Sequence, residues 1–247
     1  MLAVVYPIGL VAMLGVVAIR SQPPPSSAFV PYGVAAGVLG VGGIAALYRG
    51  LTIGQMGSVA PITATGPVIP VIYGLLQGEQ PKLLQVVGMV LAVVGAVLVG
   101  RERGEDNRQR RPVSGAGLAF VAALCFGCSL IALDKASTAD PYWATMVIRG
   151  ASTLTVGTVL VVRRGKIYVP RRSLFPLAMV ALLDLAGTVF FAIATTRGLL
   201  SIVAAIGACA PVVVILLARF VLRERLQRLQ IAGVITALMG VVFVSLR

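Results

Sequence analysis

The chain has 247 residues and a formal net charge of +13, yet only 12% of its residues are charged, 58% are hydrophobic, and the mean hydropathy is +0.99. A soluble domain carries a charged fraction near ~25%, so there are too few charges here to cover a water-facing surface, and a water-soluble fold is excluded. The apolar stretches are continuous, without the two-residue alternation of a barrel strand, which leaves an all-α integral membrane protein.

Runs of about 20 apolar residues, enough to cross a bilayer, occur nine times: approximately 1–19, 30–47, 57–76, 83–100, 114–133, 141–162, 174–195, 202–222 and 229–246. Residues 1–19 have no basic lead-in and predict a spanning helix rather than a signal peptide. The breaks are the Pro/Ser-rich Ser21–Ser27, the charged linker from Arg101, the basic stretch Arg163–Arg172 and the short charged turn Arg223–Arg228. Basic residues lie in these gaps, where membrane orientation needs them. No aromatic residues interleave with them for base stacking, so nucleic acid is excluded as a partner. Cys125 and Cys128 have C-x-x-C spacing but sit inside an apolar run in a chain without histidine. They and Cys209 predict small-residue packing, with no metal and no cofactor.

The chain repeats itself. Shifted by 145 positions, Glu79 falls on Glu224, Leu84 on Leu229, Gln85 on Gln230, Gly88 on Gly233, Ala92 on Ala237 and Gly95 on Gly240. Pro67 and Pro211 each precede their glutamate by about one helix length, and Arg49-Gly50-Leu51 aligns with Arg197-Gly198-Leu199. Such self-similarity predicts duplication. The first repeat spans 1–100, a linker 101–113, and the second repeat 114–247, with the partner of the run 114–133 missing from the start. Five helices per repeat, an odd number, make successive repeats insert with opposite orientation about a pseudo-two-fold axis in the membrane plane.

These residues carry a resemblance. The turns Gln77-Gly78-Glu79 and Leu222-Arg223-Glu224, each followed by a Q-x-x-G-x-x-x-x-x-x-G helix (Gln85, Gly88, Gly95; Gln230, Gly233, Gly240), make the chain similar to the EamA-like branch of the drug/metabolite transporter superfamily. The resemblance implies ten helices in two inverted five-helix repeats, here lacking the first helix. It implies a transporter rather than an enzyme, with export the commoner role, and in some members a lipid-linked carrier as the flipped cargo. No nucleophile–base pair, phosphate loop or metal cluster argues otherwise.

Loops assigned alternately to two sides carry fifteen Lys and Arg on one side and five on the other. The positive-inside rule puts the fifteen in the cytoplasm and the C-terminus outside, whereas the resemblance implies cytoplasmic termini. Short arginine-rich loops and duplicated helices predict a bacterial inner membrane, with the bilayer and a small-molecule substrate as partners.

Asp184 is the outstanding candidate residue, near the middle of the run 174–195 between Leu183 and Leu185. A carboxylate at that depth costs ~2.5–3.5 kcal/mol on insertion scales and usually faces a cavity or a partner. It is read as a substrate-amine ligand or a protonatable coupling group, or else as a structural acid bonded to a neighbouring helix. Arg149, about two turns into the run 141–162, is Asp184's ion-pair partner, an anion-binding guanidinium or a snorkelling side chain. Tyr6 aligns with Arg149 in the repeat and is placed at the pathway, while Trp143 reads as an interfacial anchor.

Pro61, Pro67 and Pro70 with Gly57 and Gly66 interrupt one run, and Gly207 with Pro211 interrupts its repeat partner. Helices broken at matching positions point to a midplane site lined by freed carbonyls, and Ser58, Thr63, Thr65 and Ser201 add hydroxyls. A packing kink is the plainer alternative. Glu79 and Glu224 predict caps or arginine partners in the turns. The seven-residue glycine spacing predicts close helix packing, as the contact between the repeats or a homodimer face. The expected function is a secondary transporter, with a non-transporting membrane subunit or truncated remnant as the alternative.

Overall fold

A computed structural model describes residues 2–54, 56–100, 115–164, 173–221 and 227–246. The linker 101–113, the greater part of the basic stretch and Glu224 lie outside them. Eleven α-helices run in order among the described residues: α1 (Leu2–Arg20), α2 (Val30–Ile53), α3 (Met56–Thr63), α4 (Val68–Leu76), α5 (Leu83–Gly100), α6 (Ala116–Ser137), α7 (Pro141–Val162), α8 (Leu174–Arg197), α9 (Leu200–Gly207), α10 (Ala210–Val221) and α11 (Arg228–Ser245). Among the described residues seven segments are long and apolar enough to cross a membrane, against nine expected. The other two, Leu83–Val99 and Leu200–Val214, are apolar but shorter.

The interruptions expected at Pro67 and Pro211 are present, whereas Pro61 lies inside α3 and Pro70 inside α4 without breaking either helix. The run 57–76 divides into α3 and α4 at a turn just before Pro67, and the run 202–222 divides into α9 and α10 just before Pro211. Proline lacks an N–H and disfavours helical geometry in the residue before it, so the hydrogen-bond ladder stops there. Thr63 and Thr65 return their hydroxyls to the backbone oxygens of Val59 and Ile62, at 3.0 and 2.7 Å. Gly66 packs against the backbone of Ala123, and Gly127 against Ile69 and the Gly66 carbonyl. The first break is therefore seated tightly on α6.

Two compact units form, and each draws on both halves of the sequence. One comprises Met1–Val41 and Ser129–Gly198, the other Gly42–Cys128 and Leu199–Arg247. In the first unit α1 packs on α7 and α8, and α7 on α8. Small residues also bring the first part of α2 close to α6 and α7. A side chain at Gly37 would lie 2.7 Å from the Ile148 carbonyl, and Ser129 and Ser152 donate to the carbonyls of Ala36 and Gly37. The core there is Ala36, Ala132, Leu133, Ile148 and Ala192.

In the second unit α5 packs along α11, α4 on α9, and α5 on α3, α9 and α10. The repeated glycines explain the α5–α11 contact. A Cβ at Gly88 would lie 2.7 Å from the Gly240 carbonyl, and one at Gly233 would lie 2.9 Å from the Gly95 carbonyl; Gly95 faces Ala237, and Gly240 faces Ala92. Rising numbers on α5 meet falling numbers on α11, so the helices are antiparallel. The contact is also self-complementary, because exchanging each residue for its repeat partner returns the same set of pairs. That is the signature of a local two-fold. The repeated glutamines likewise perform one task twice. Gln85 accepts from the Lys82 N–H at 2.9 Å and Gln230 from the Gln227 N–H at 3.0 Å, each closing the first turn of its helix as in a capping box.

Glu79 is a helix cap, as expected, but for a helix 121 residues away. Its two carboxylate oxygens accept from the backbone N–H groups of Leu200 and Ser201 at 2.7 and 3.0 Å, at the start of α9. Gly74 leaves the room that this carboxylate fills. No local side chain caps α9, so Glu79 alone satisfies these two orphan donors and places a negative charge at the positive end of the helix. Glu79→Ala is expected to cost ~1–2 kcal/mol, with Glu79→Gln losing less because it keeps an acceptor. Thermal unfolding of purified protein measures both; equal loss in the two variants would contradict the acceptor component, and no loss in Glu79→Gln would contradict the charge component.

Candidate functional site

The ionisable residues singled out from the sequence meet in the first unit. Asp140 fixes the start of α7: it accepts from the N–H groups of Tyr142 and Trp143 at 2.8 and 2.9 Å, with Pro141 in the first helical position. It also pairs with Arg20 at 3.2 Å, whose guanidinium stacks on the Tyr142 ring, and so joins the end of α1 to the start of α7. Arg149 then lies nine residues beyond the cap, ~13 Å along the helix. Asp184 is the eleventh of the 24 residues of α8, ~15 Å from its start. Both are therefore deep within an apolar layer ~30 Å thick.

There the two side chains form an ion pair. Arg149 Nη1 donates to Asp184 Oδ2 at 2.5 Å, and Nη2 donates to the Asp184 carbonyl at 3.0 Å and to Thr188 Oγ1 at 2.6 Å. Thr188 passes its own proton to the same carbonyl at 2.9 Å. The guanidinium carbon stands 5.7 Å from the centre of the Tyr6 ring, within cation–π range. Gly9, one turn along α1, lies against the Arg149 stem. The three candidates Tyr6, Arg149 and Asp184 are thus brought together by α1, α7 and α8.

The pair is asymmetric. Arg149 is 3% exposed, and its Nε is buried without a hydrogen-bond partner among the described residues. The Asp184 side chain is 50% exposed, and its Oδ1 has no hydrogen bond among the described residues. The positive group is sealed between helices while one carboxylate oxygen looks outward. Snorkelling does not describe Arg149, whose charge is directed to a neighbouring helix rather than to the membrane edge.

Pro61, Pro67, Gly207 and Pro211 belong to the second unit. Pro61 is buried, Pro67 and Pro211 are half-buried, and Gly207 is exposed. Of the hydroxyls expected near the breaks, Ser201 is buried with no partner for its Oγ among the described residues, and the side chain of Ser58 lies outside the described set.

The EamA-like transporter family model matches residues 1–101 and 113–246. The chain belongs to this family. It is accordingly a multi-pass membrane protein of a family of transporters within the drug/metabolite superfamily, whose members are not enzymes. A search of the curated proteins finds no match. Among solved structures 21 chains match, one of them described as "Crystal structure of protein", at 18% identity with a TM-score of 0.77, over 99% of this chain and 85% of that one. That likeness concerns the fold alone.

Within this EamA-like chain, Thr188, Gly9 and Asp140 take part in the arrangement without having been singled out from the sequence. Thr188 carried a readable signal, being four residues from Asp184 and so on the same helix face. Asp140 carried another, an acidic residue directly before a proline that opens an apolar run. Gly9 carried none, since its role depends on which side chain crosses it.

Proposed function

We propose that the chain is a secondary transporter that moves a small metabolite or amphipathic compound outward across a bacterial inner membrane, by alternating access between two inverted five-helix repeats. The observation that carries this reading is the Arg149–Asp184 pair. An apolar chain places a fully buried cation and a half-uncovered carboxylate at mid-helix, where a charge is costly unless it serves a pathway or a partner. The self-complementary antiparallel contact of α5 and α11 supports the inverted-repeat part of the reading, since two like elements that pack about a two-fold suit rocking of one repeat against the other.

The test compares metabolites in cells and medium with the chain overexpressed, with Asp184→Asn at equal expression, and with neither. A small set of compounds is expected to redistribute with the intact chain and to stop redistributing with Asp184→Asn. If no compound moves with either form, a non-transporting membrane subunit replaces the proposal. Movement confined to lipid-linked carriers would favour a flippase.

A further inference from the structure

Resting on the transporter reading, we infer that the site selects compounds bearing a primary amine on an apolar body, with Asp184 Oδ1 as the ligand atom, and that Arg149 does not bind substrate anions. The argument starts from which atoms remain available. A guanidinium recognises a carboxylate or phosphate through its N–H fork, and here three of the five donors are engaged and the group is buried. Nη1 is committed to Asp184 Oδ2, and Nη2 to the Asp184 carbonyl and Thr188 Oγ1. Of the two N–H donors left among the five, Nε is buried beneath Gly9 of α1, and the second N–H of Nη1 belongs to a side chain sealed at 3% exposure. An anion would have to displace Asp184 and enter a space that three helices close.

The carboxylate is the reverse case. Oδ2 holds the arginine, while Oδ1 is without a hydrogen bond among the described residues on a side chain that is half uncovered. An ionised carboxylate has about four lone-pair sites, so an acceptor remains where the surroundings supply no donor. Val180 and Leu183 beside it are exposed and apolar, and a Cβ at Gly187, one turn on, would meet nothing within 4 Å. A ligand that satisfies Oδ1 must bring an N–H donor and cover an apolar surface with the rest of its body. An ammonium does so with a charge-assisted bond, which is stronger than the bond from a neutral hydroxyl.

Arg149 has a different task in this scheme. It aims the carboxylate by occupying one oxygen, and Thr188 fixes the guanidinium in turn. It is a positioning residue, and Asp184 is the ligand.

The test uses the full chain in phosphatidylcholine nanodiscs, whose headgroups carry no N–H donor. Equilibrium titrations compare three probes with one apolar body: 2-phenylethylamine, 3-phenylpropanoate and 3-phenylpropan-1-ol. The amine is expected to bind at least about tenfold more tightly than either of the others, and Asp184→Asn is expected to abolish that preference. If Asp184→Asn does not fold, the probe series on the unaltered chain decides alone. An amine no tighter than the alcohol, tighter binding of the carboxylate, or no binding of any probe overturns the inference. Proteoliposome flux separates it from the transporter reading. An amine that binds through Asp184 without crossing the bilayer retires transport and leaves the selectivity standing. A carboxylate probe that crosses, and stops crossing with Arg149→Lys, keeps transport and overturns the selectivity.

Discussion

Asp184→Leu is expected to destabilise the protein by roughly 3–5 kcal/mol, because it leaves the buried Arg149 cation without a counter-charge while the guanidinium stays sealed at 3% exposure. Arg149→Met is expected to cost less, since the carboxylate it strands is half uncovered. The double variant Arg149→Met/Asp184→Leu is expected to recover most of the lost stability, as replacement of a whole buried ion pair by apolar side chains commonly does. Thermal unfolding of the four proteins closes a double-mutant cycle, and a double variant whose loss equals the sum of the singles would show that the pair is not coupled. Transport separates two roles that stability alone confounds. A double variant that folds and still moves substrate would make the pair purely structural, whereas a folded but inactive one supports Asp184 as a substrate ligand.

The second large effect concerns α5 and α11. Gly95→Val would drive a branched side chain into the backbone of Ala237, and Gly240→Val one into that of Ala92. Overpacking costs ~1–3 kcal/mol per site, and a chain of this size loses ~2–4 °C of melting temperature per kcal/mol. Here the obstacle is backbone, which cannot rotate away, so losses toward the upper end of that range are expected. Gly157→Ala provides the control, because a Cβ at Gly157 meets nothing within 4 Å. Equal melting temperatures for Gly95→Val and Gly157→Ala would refute the close α5–α11 approach.

Much of this protein was legible because its signals are local. Scarce charge and continuous apolar runs require that backbone hydrogen bonds be satisfied within each segment, and that requirement yields helices whatever lies beside them. The proline-bearing breaks were equally readable, since a missing N–H acts on its own turn. Thr63 and Thr65, however, spend their hydroxyl protons locally. They return them to backbone oxygens of α3, a choice made by rotamers that no spacing reveals.

The sequence by itself determined that the chain is a set of membrane helices of the EamA-like family, with a glutamine and two glycines repeated in register. Those features act within one segment or recur at a fixed distance along it. Only the tertiary structure decided that Glu79 caps α9, that Gly88 and Gly95 each meet the other's repeat partner across an antiparallel contact, and that Arg149 turns its fork on Asp184 and Thr188 rather than holding it open. These facts rest on which remote helices approach within a few ångströms. In a chain where nearly every surface is apolar, hydropathy cannot choose among such neighbours. The choice falls to small residues that let backbones close up, and to the few polar groups that must find one another once they do.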